Sequence, residues 1–517
     1  MSDDYFGPKA VYDHFMEITA RYHPSGDEDL VRKYVAECAG KIEKVKTTFY
    51  EAGETHPGKR VIVLRRPGSG NYSNSPYVTL QAHMDMVCYP KNDIFPLKVF
   101  DYDIEGEKWI KAGDRASISD PDKGTTLGAD DGIGVATALA ILEDENLKDY
   151  PIECLFTVEE ETTMGGAKGF DEGLLEGRTY INLDAEDAPI IIYGSAGGCD
   201  VNYEGTVERS NTGDNFVTRK VSISGLLGGH SGIKINSGRL NAIKALTEIL
   251  IKLNRRITNL DVAEEEKTTY DLRLVSMKRD EETKMNSIPS SASAIILIPK
   301  DKEDGFKRDF EAYCTALREL YQPEERKFKF CYQVCKPEER SEKPLSETST
   351  DVLLCLLQQI PHGVIRMIPA NVELVETSTN LAGIDIGEDK VVIKASNRSS
   401  NDESLDALKN IQKSIGDCLN YSVTHSEGYP SWQPNKDSVL LAKAKGVYDR
   451  IYPDSNATVI HAGLECSYIV QKYEGKIDCI SIGPTIVDPH SGGERLKAST
   501  VETFYDAVTK LLQEIFK

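Results

Sequence analysis

No run of about 20 apolar residues, the length needed to span a bilayer, occurs anywhere in the sequence. The opening MSDDYFGPKA also lacks the basic flank and apolar stretch of a secretory signal. No membrane partner is expected, and the chain reads as cytoplasmic. Basic charge is scarce too: 61 Lys and Arg stand against 83 Asp and Glu, for a net charge of -22. Such a balance repels a phosphate backbone, so nucleic acid is not an expected partner. The 11 cysteines lie singly in mostly apolar settings, without the dense, even spacing of a disulfide framework. The nearest pair, Cys331 and Cys335 in KFKFCYQVCKPEE, sits in an alternating stretch that predicts a strand with both thiols on one face. The cysteines read as reduced core residues, and no metal site is expected at this pair.

What is present is length and periodicity. A chain of 517 residues exceeds one ordinary core and predicts two domains. Helical spacing runs over 8–19 and 27–41, and short apolar runs bounded by turn residues mark strands at 61–66, 77–83, 152–158 and 180–184. GIGVATALAILEDENL, from Gly132, has the length of a helix between the second and third of these strands. Strand, crossover, helix, strand is the order of an α/β fold, here a mixed sheet flanked by helices.

Near residue 200 the texture changes at YGSAGGCDVNYEG. From there to about 426 the elements read as strand, helix, strand, strand, helix. The pattern then recurs, opening on a strand at 327–335 and closing at 421–425. Two βαββαβ-like repeats describe it, forming an inserted α+β domain over 199–426. Residues 1–198 and 427–517 then make up the α/β domain, with the strand at DCISIGP and the helix at 500–516 returning to the first sheet.

The nine histidines are few enough to weigh singly. His83 ends an apolar strand, with Asp85 two residues on and on the same side of the backbone, where a carboxylate can fix the tautomer of a metal-binding imidazole. LGADDGIG places Asp130 and Asp131 at a helix start, where one aspartate caps the helix or holds a metal. IECLFTV runs into Glu159, Glu160 and Glu161, where a continued extended strand would point Glu160 and Glu161 opposite ways; YINLD ends at Asp184, and DCISIGPTIVDPHSGGE delivers His490 beyond its strand. Ligands of open α/β sheets bind at the carboxyl ends of strands. Each item has an ordinary structural reading, but together they predict one rim where mixed imidazole and carboxylate donors suit zinc, cobalt or manganese.

HMDMV, GTTLGADDGIGVA, the Glu-Glu pair before MGGA, NLDAE, GLLGGHSG, RSSNDESL, HAGLEC and DPHSGGE together resemble the aminoacyl-histidine dipeptidases. These belong to the co-catalytic zinc aminoacylase and carboxypeptidase superfamily, and the likeness covers nearly the whole chain in order. The resemblance implies two divalent cations, most readily zinc. His83 and Asp184 would hold one and Glu161 and His490 the other, with Asp130 bridging them across a cis Asp130–Asp131 peptide. It makes Glu160 the general base, Asp85 the partner of His83, and the middle region a doubled lid. Within that lid His230 would stabilise the oxyanion, and Arg398, Asn286 and the backbone at Gly463 would hold the substrate carboxylate. The implied substrates are dipeptides, including Xaa-His such as carnosine.

Glu159, Thr162, Thr163 and Ser467 depart from the family pattern and bear on substrate range rather than reaction type. An aminoacylase, a tripeptidase and an inactive metal-binding scaffold are the competing readings. Retention of Glu160 and Asp85 argues against the scaffold. Monomer and homodimer stay open. His14, His23, His56, His362 and His425 read as structural or surface residues, and His461 has no assigned role.

Overall fold

The apolar runs at 78–83 and 152–157 become two neighbouring strands inside an eight-stranded sheet, and every residue of both is buried. The computed structural model describes residues 7–51, 60–90, 94–254, 270–280, 284–321, 325–335, 343–369 and 371–517. The readings made on residues 1–6 and on His56 lie outside them.

The chain divides into two compact units, the first comprising Met1–Ser195, Trp432–Ile460 and Leu464–Lys517. Its large sheet runs in the order Lys46–Glu51, Arg60–Arg66, Ile152–Thr157, Val78–His83, Thr179–Asn182, Asp478–Ser481, Ile190–Ser195, Asn456–Ile460. Ile152–Thr157, Val78–His83, Thr179–Asn182 and Asp478–Ser481 are consecutive neighbours and parallel, so their carboxyl ends emerge at one edge. Strands buried on both faces need apolar residues throughout, which explains runs without alternation.

Parallel neighbours require a crossover, here the helix Ala129–Glu143 between Val78–His83 and Ile152–Thr157. Residues 129–142 of that helix are all buried, as expected of a helix apolar on every side. It packs on the Val78–His83 strand and on the helix Lys9–Thr19. A smaller sheet orders Ile486–Val487, Arg495–Lys497, Glu107–Gly113 and Val99–Ile104, and the loop within its first antiparallel pair carries His490. No helix among the described residues is long and apolar enough to cross a membrane.

The second unit, Ala196–Ser431 with His461–Gly463, contains separate antiparallel sheets. One orders Arg273–Arg279, Ala292–Pro299, Phe216–Ser224, Lys329–Val334; another orders Gly363–Ile368, Asn371–Ile386, Lys390–Ser399, Gly197–Thr206, Ser422–His425. This corrects the sequence reading of 327–335. That strand does not open a second repeat; it pairs with Phe216–Ser224 and closes the first sheet. The equivalent place in the other sheet goes to Gly197–Thr206, so one βαββαβ pattern is inserted within the other. A single apolar cluster joins both, with Val201 and Tyr203 packed among Val221, Ile223, Leu246 and Ile393. The strand ends at Val334, and Cys331 on it is exposed while Cys335 just beyond is buried, so of this pair only Cys335 is a core residue.

Candidate metal centre

His83 closes its strand with the imidazole 1% exposed. Its Nε2 lies 3.0 Å from Asp130 Oδ1 and 3.6 Å from Asp184 Oδ1. On the other side Nδ1 is 2.9 Å from the backbone carbonyl of Asp85, whereas the Asp85 carboxylate is 3.5 Å away. The carbonyl is therefore the closer partner of the ring. The carboxylate instead accepts the Glu160 and Glu161 N–H groups at 3.0 and 3.1 Å and the Ser25 hydroxyl at 2.8 Å. Asp85 thus ties the end of one strand to the segment following its neighbour.

The two aspartates at the start of helix Ala129–Glu143 divide the tasks that the sequence left open. Asp131 accepts the Gly134 N–H at 3.2 Å, a cap, and the His83 N–H at 3.1 Å, so both oxygens are engaged by backbone. Asp130, joined to it by a cis peptide, turns the other way and faces His83 with Oδ1 and His490 with Oδ2. Gly128, at φ +67, supplies the left-handed residue on which this turn begins.

Glu160 and Glu161 do not continue an extended strand, as adjacent residues pointing opposite ways would require. Glu159 adopts φ +58, and Glu160–Thr163 form a helical turn in which successive side chains are about 100° apart. Glu161 Oε2 lies 2.9 Å from His490 Nε2, while its Oε1 is buried with no hydrogen-bond partner among the described residues.

Burial alone would lower the His83 pKa, but Asp184, Asp130 and Asp85 hold it well above the ordinary histidine value. His490 is likewise opposed by burial, yet Asp130 and Glu161 carry it up to about 12. Burial, reinforced by Asp130, raises Glu161 to about 7, and burial with the nearby carboxylates of Glu161, Asp184 and Glu465 raises Glu160. Buried carboxylates crowded in this way favour a cation among them.

In the second unit, His230 Nδ1 accepts the N–H groups of Gly232 and Ile233, each at 3.2 Å, so the ring proton resides on Nε2. The Ser231 N–H donates to the Asn286 carbonyl at 2.7 Å, and a Cβ built on Gly232 would meet His230 Cε1 at 3.0 Å and Arg398 Nε at 3.2 Å. The same Cβ would overlap the carbonyl oxygen of His461, two residues before Gly463. His230, Asn286, Arg398 and the 461–463 segment are thus gathered in one place.

The model of Peptidase family M20/M25/M40 matches residues 122–514. The chain is 33% identical over 515 residues to the cytosol non-specific dipeptidase of Escherichia coli (strain K12), covering 98% of each. It belongs to the M20/M25/M40 peptidase family. The crystal structure of aminoacylhistidine dipeptidase from Vibrio alginolyticus is 30% identical with a TM-score of 0.78, covering 99% of this chain and 98% of that one. A tripeptidase from Staphylococcus aureus, 14% identical with a TM-score of 0.53 over 98% of both chains, shares the fold.

M20 peptidases depend on metal, and the donor set here fits that dependence. His83, Asp130 and Glu161 form one group, and His83, Asp131 and Asp184 another, each with ligand atoms within 4.8 Å of one another. Because backbone N–H groups engage both Asp131 oxygens, Asp130 is the freer donor of the pair. The orphaned Glu161 Oε1 is a further oxygen available to an ion.

Several supporting residues had no role in the sequence reading although they stand inside its motifs. Glu494, in DPHSGGE, accepts the Leu127 and Ala129 N–H groups at 2.7 and 2.8 Å and so anchors the turn that presents Asp130. Glu465, in HAGLEC, accepts from Gln81 and Thr157 at 2.6 and 2.7 Å beneath the strand ends. Lys111, in no motif, is buried and donates to the Gly492 carbonyl at 2.5 Å, steadying the His490 loop. Acids at fixed positions in these motifs were the available signal for the first two.

Proposed function

We propose that the chain is a dipeptidase holding two divalent cations, most readily zinc with cobalt or manganese as substitutes. In this reading His83 and Asp184 would hold one cation and Glu161 and His490 the other, with Asp130 shared between them. The carrying observation is that the two Asp130 oxygens face different histidines, at 3.0 and 2.9 Å. When bound, such a pair would polarise a peptide carbonyl and acidify water.

Glu160 takes a proton from the attacking water as the new C–O bond forms, then gives it to the amine nitrogen as the C–N bond breaks. Asp85 fixes Glu160 through the backbone N–H it accepts. We assign substrate recognition to the second unit, acting as the doubled lid. His230, with its proton on Nε2, donates to the developing oxyanion. Arg398, whose Nε is buried without a partner among the described residues, pairs with the substrate's C-terminal carboxylate, helped by Asn286 and the backbone of Gly463. An anchor for that terminus favours dipeptides, Xaa-His among them, because a longer chain would bury a neutral amide against a cation. The Escherichia coli relative carries the cytosol in its name, and we propose the same compartment here.

The test is metal analysis together with turnover of carnosine and Ala-His by wild type and Glu160→Ala. The variant is expected to keep about two metals per chain and lose several orders of magnitude in rate. Undiminished turnover in a metal-replete variant removes Glu160 from the mechanism.

A further inference from the structure

In the second unit, three adjacent strands and one isolated bridge set Ser378, Arg398, Gly198 and Tyr429 directly opposite one another in a single row. Residues opposite one another in antiparallel pairing share a face of the sheet, so these positions project to the same side. Gly198 contributes no side chain to that row. The Tyr429 hydroxyl crosses the gap, lying 2.7 Å from where a Gly198 Cβ would stand and 2.7 Å from Arg398 Nη1, from which it accepts. Tyr429 starts two strand spacings from Arg398, roughly 10 Å. Its ring spans that distance because the intervening residue is glycine.

At the other end of the row, Ser378 Oγ and His461 Nε2 share a hydrogen bond of 2.7 Å. Burial, with Arg398 and His230 nearby, pushes the His461 pKa down to about 3, so the ring is neutral and adds no charge beside the guanidinium. The His461 carbonyl in turn lies against Gly232, next to His230 and Arg398. One row of a sheet therefore grips the arginine on one flank and ties down the segment leading to Gly463 on the other.

We infer that Tyr429 and the Ser378–His461 pair are positioning residues that aim the Arg398 guanidinium at a peptide's C-terminal carboxylate, and thereby set the preference for free dipeptides over blocked ones. The inference rests on the assignment of Arg398 as carboxylate anchor. With Nη1 held by Tyr429, the donors left to a carboxylate are Nε and Nη2, the edge of the fork suited to bidentate pairing. A guanidinium released from Tyr429 swings about its last torsions and loses that alignment. Loss of the Ser378 hydroxyl frees the 461–463 segment.

The experiment compares kcat and KM for Ala-His and its C-terminal amide in wild type, Tyr429→Phe, Ser378→Ala, Ser378→Thr and Arg398→Ala. Tyr429→Phe and Ser378→Ala are each expected to lower the acid-over-amide preference in kcat/KM by roughly 10-fold or more, the scale of one hydrogen bond to a charged group. The loss should appear as a higher KM for the acid, with kcat within about threefold and metal content unchanged. Ser378→Thr, which keeps the hydroxyl, should retain the preference. A purely structural role would lower turnover of acid and amide alike. If Arg398→Ala abolishes the preference while Tyr429→Phe and Ser378→Ala keep it, the positioning role is wrong and the anchor stands. If Arg398→Ala itself keeps the preference, the anchor assignment fails and this inference with it.

Discussion

Asp130 presents Oδ1 to His83 Nε2 at 3.0 Å and Oδ2 to His490 Nε2 at 2.9 Å, joining histidines on either side of it that are far apart in the chain. Asp130 cannot be replaced in that relationship by its neighbour, because both Asp131 oxygens are engaged by backbone N–H groups. Asp130→Asn keeps the side-chain shape but offers one oxygen and an amide that cannot ligate. The variant is expected to fall from about two bound metals per chain to one or fewer, with turnover near background. Full metal occupancy in Asp130→Asn would show that the two sites do not share this residue.

Metal entry should also expel protons. Without cations, Asp184 and Asp130 keep His83 well above its ordinary pKa against the pull of burial, and His490 is carried up to about 12. Both rings are therefore biased toward imidazolium, and an imidazolium has no lone pair to give. The sign follows: affinity rises with pH because each ligating ring must first lose its proton. Titrating zinc into chelator-treated protein in weak buffer should acidify the solution, and the dissociation constant should tighten from pH 6 toward pH 8. A pH-independent constant with no proton release would contradict the assignment of these rings as ligands.

Asp85→Asn separates two roles. The Asp85 carboxylate is 3.5 Å from His83 Nδ1, yet it receives the N–H groups of both Glu160 and Glu161. An asparagine retains one acceptor, and its backbone carbonyl, 2.9 Å from Nδ1, is untouched. The expected result is a fall in kcat of roughly 10–100-fold, the usual cost of losing a supporting contact, with metal content preserved. Loss of metal with kcat per bound metal unchanged would mean that the carboxylate serves His83 instead.

Much of the fold was legible because strands buried on both faces cannot hide their composition: VTLQAH and IECLFT read as strands and are strands. The rim was legible for the same reason, since polar residues that abruptly end such runs mark the edge of the sheet. Pairing between distant segments was not. The strand at 327–335 has an ordinary pattern, and nothing local distinguishes closing one sheet from opening another. The left-handed Glu159 was invisible as well, because glutamate carries no preference for φ near +58, and without it Glu160 and Glu161 read as extended. The row that places Tyr429 beside Arg398 depends on register across three strands and a bridge, information that no single segment contains.

Glu465 offers a test of how the floor beneath the site is charged. Its carboxyl is wholly buried, accepts from Gln81 and Thr157, and is pushed from 4.5 up to about 8 by burial, with Asp184 and Asp85 adding to the rise against His83 and Thr157. The folded protein therefore keeps a proton that the unfolded chain releases above its ordinary pKa. Stability from this group is complete below about pH 4.5 and is lost as pH rises toward about 8, the opposite of a salt-bridged carboxylate. Glu465→Gln cannot ionise, and its oxygen can take the place of the acceptor facing Gln81 and Thr157. Urea unfolding of chelator-treated protein at pH 5, 6.5 and 8 should show wild type losing more stability than the variant across the range, by an amount on the order of a few kcal/mol. Parallel curves for the two proteins would mean that Glu465 is ionised in the folded state and that the strand ends rest on a buried charge.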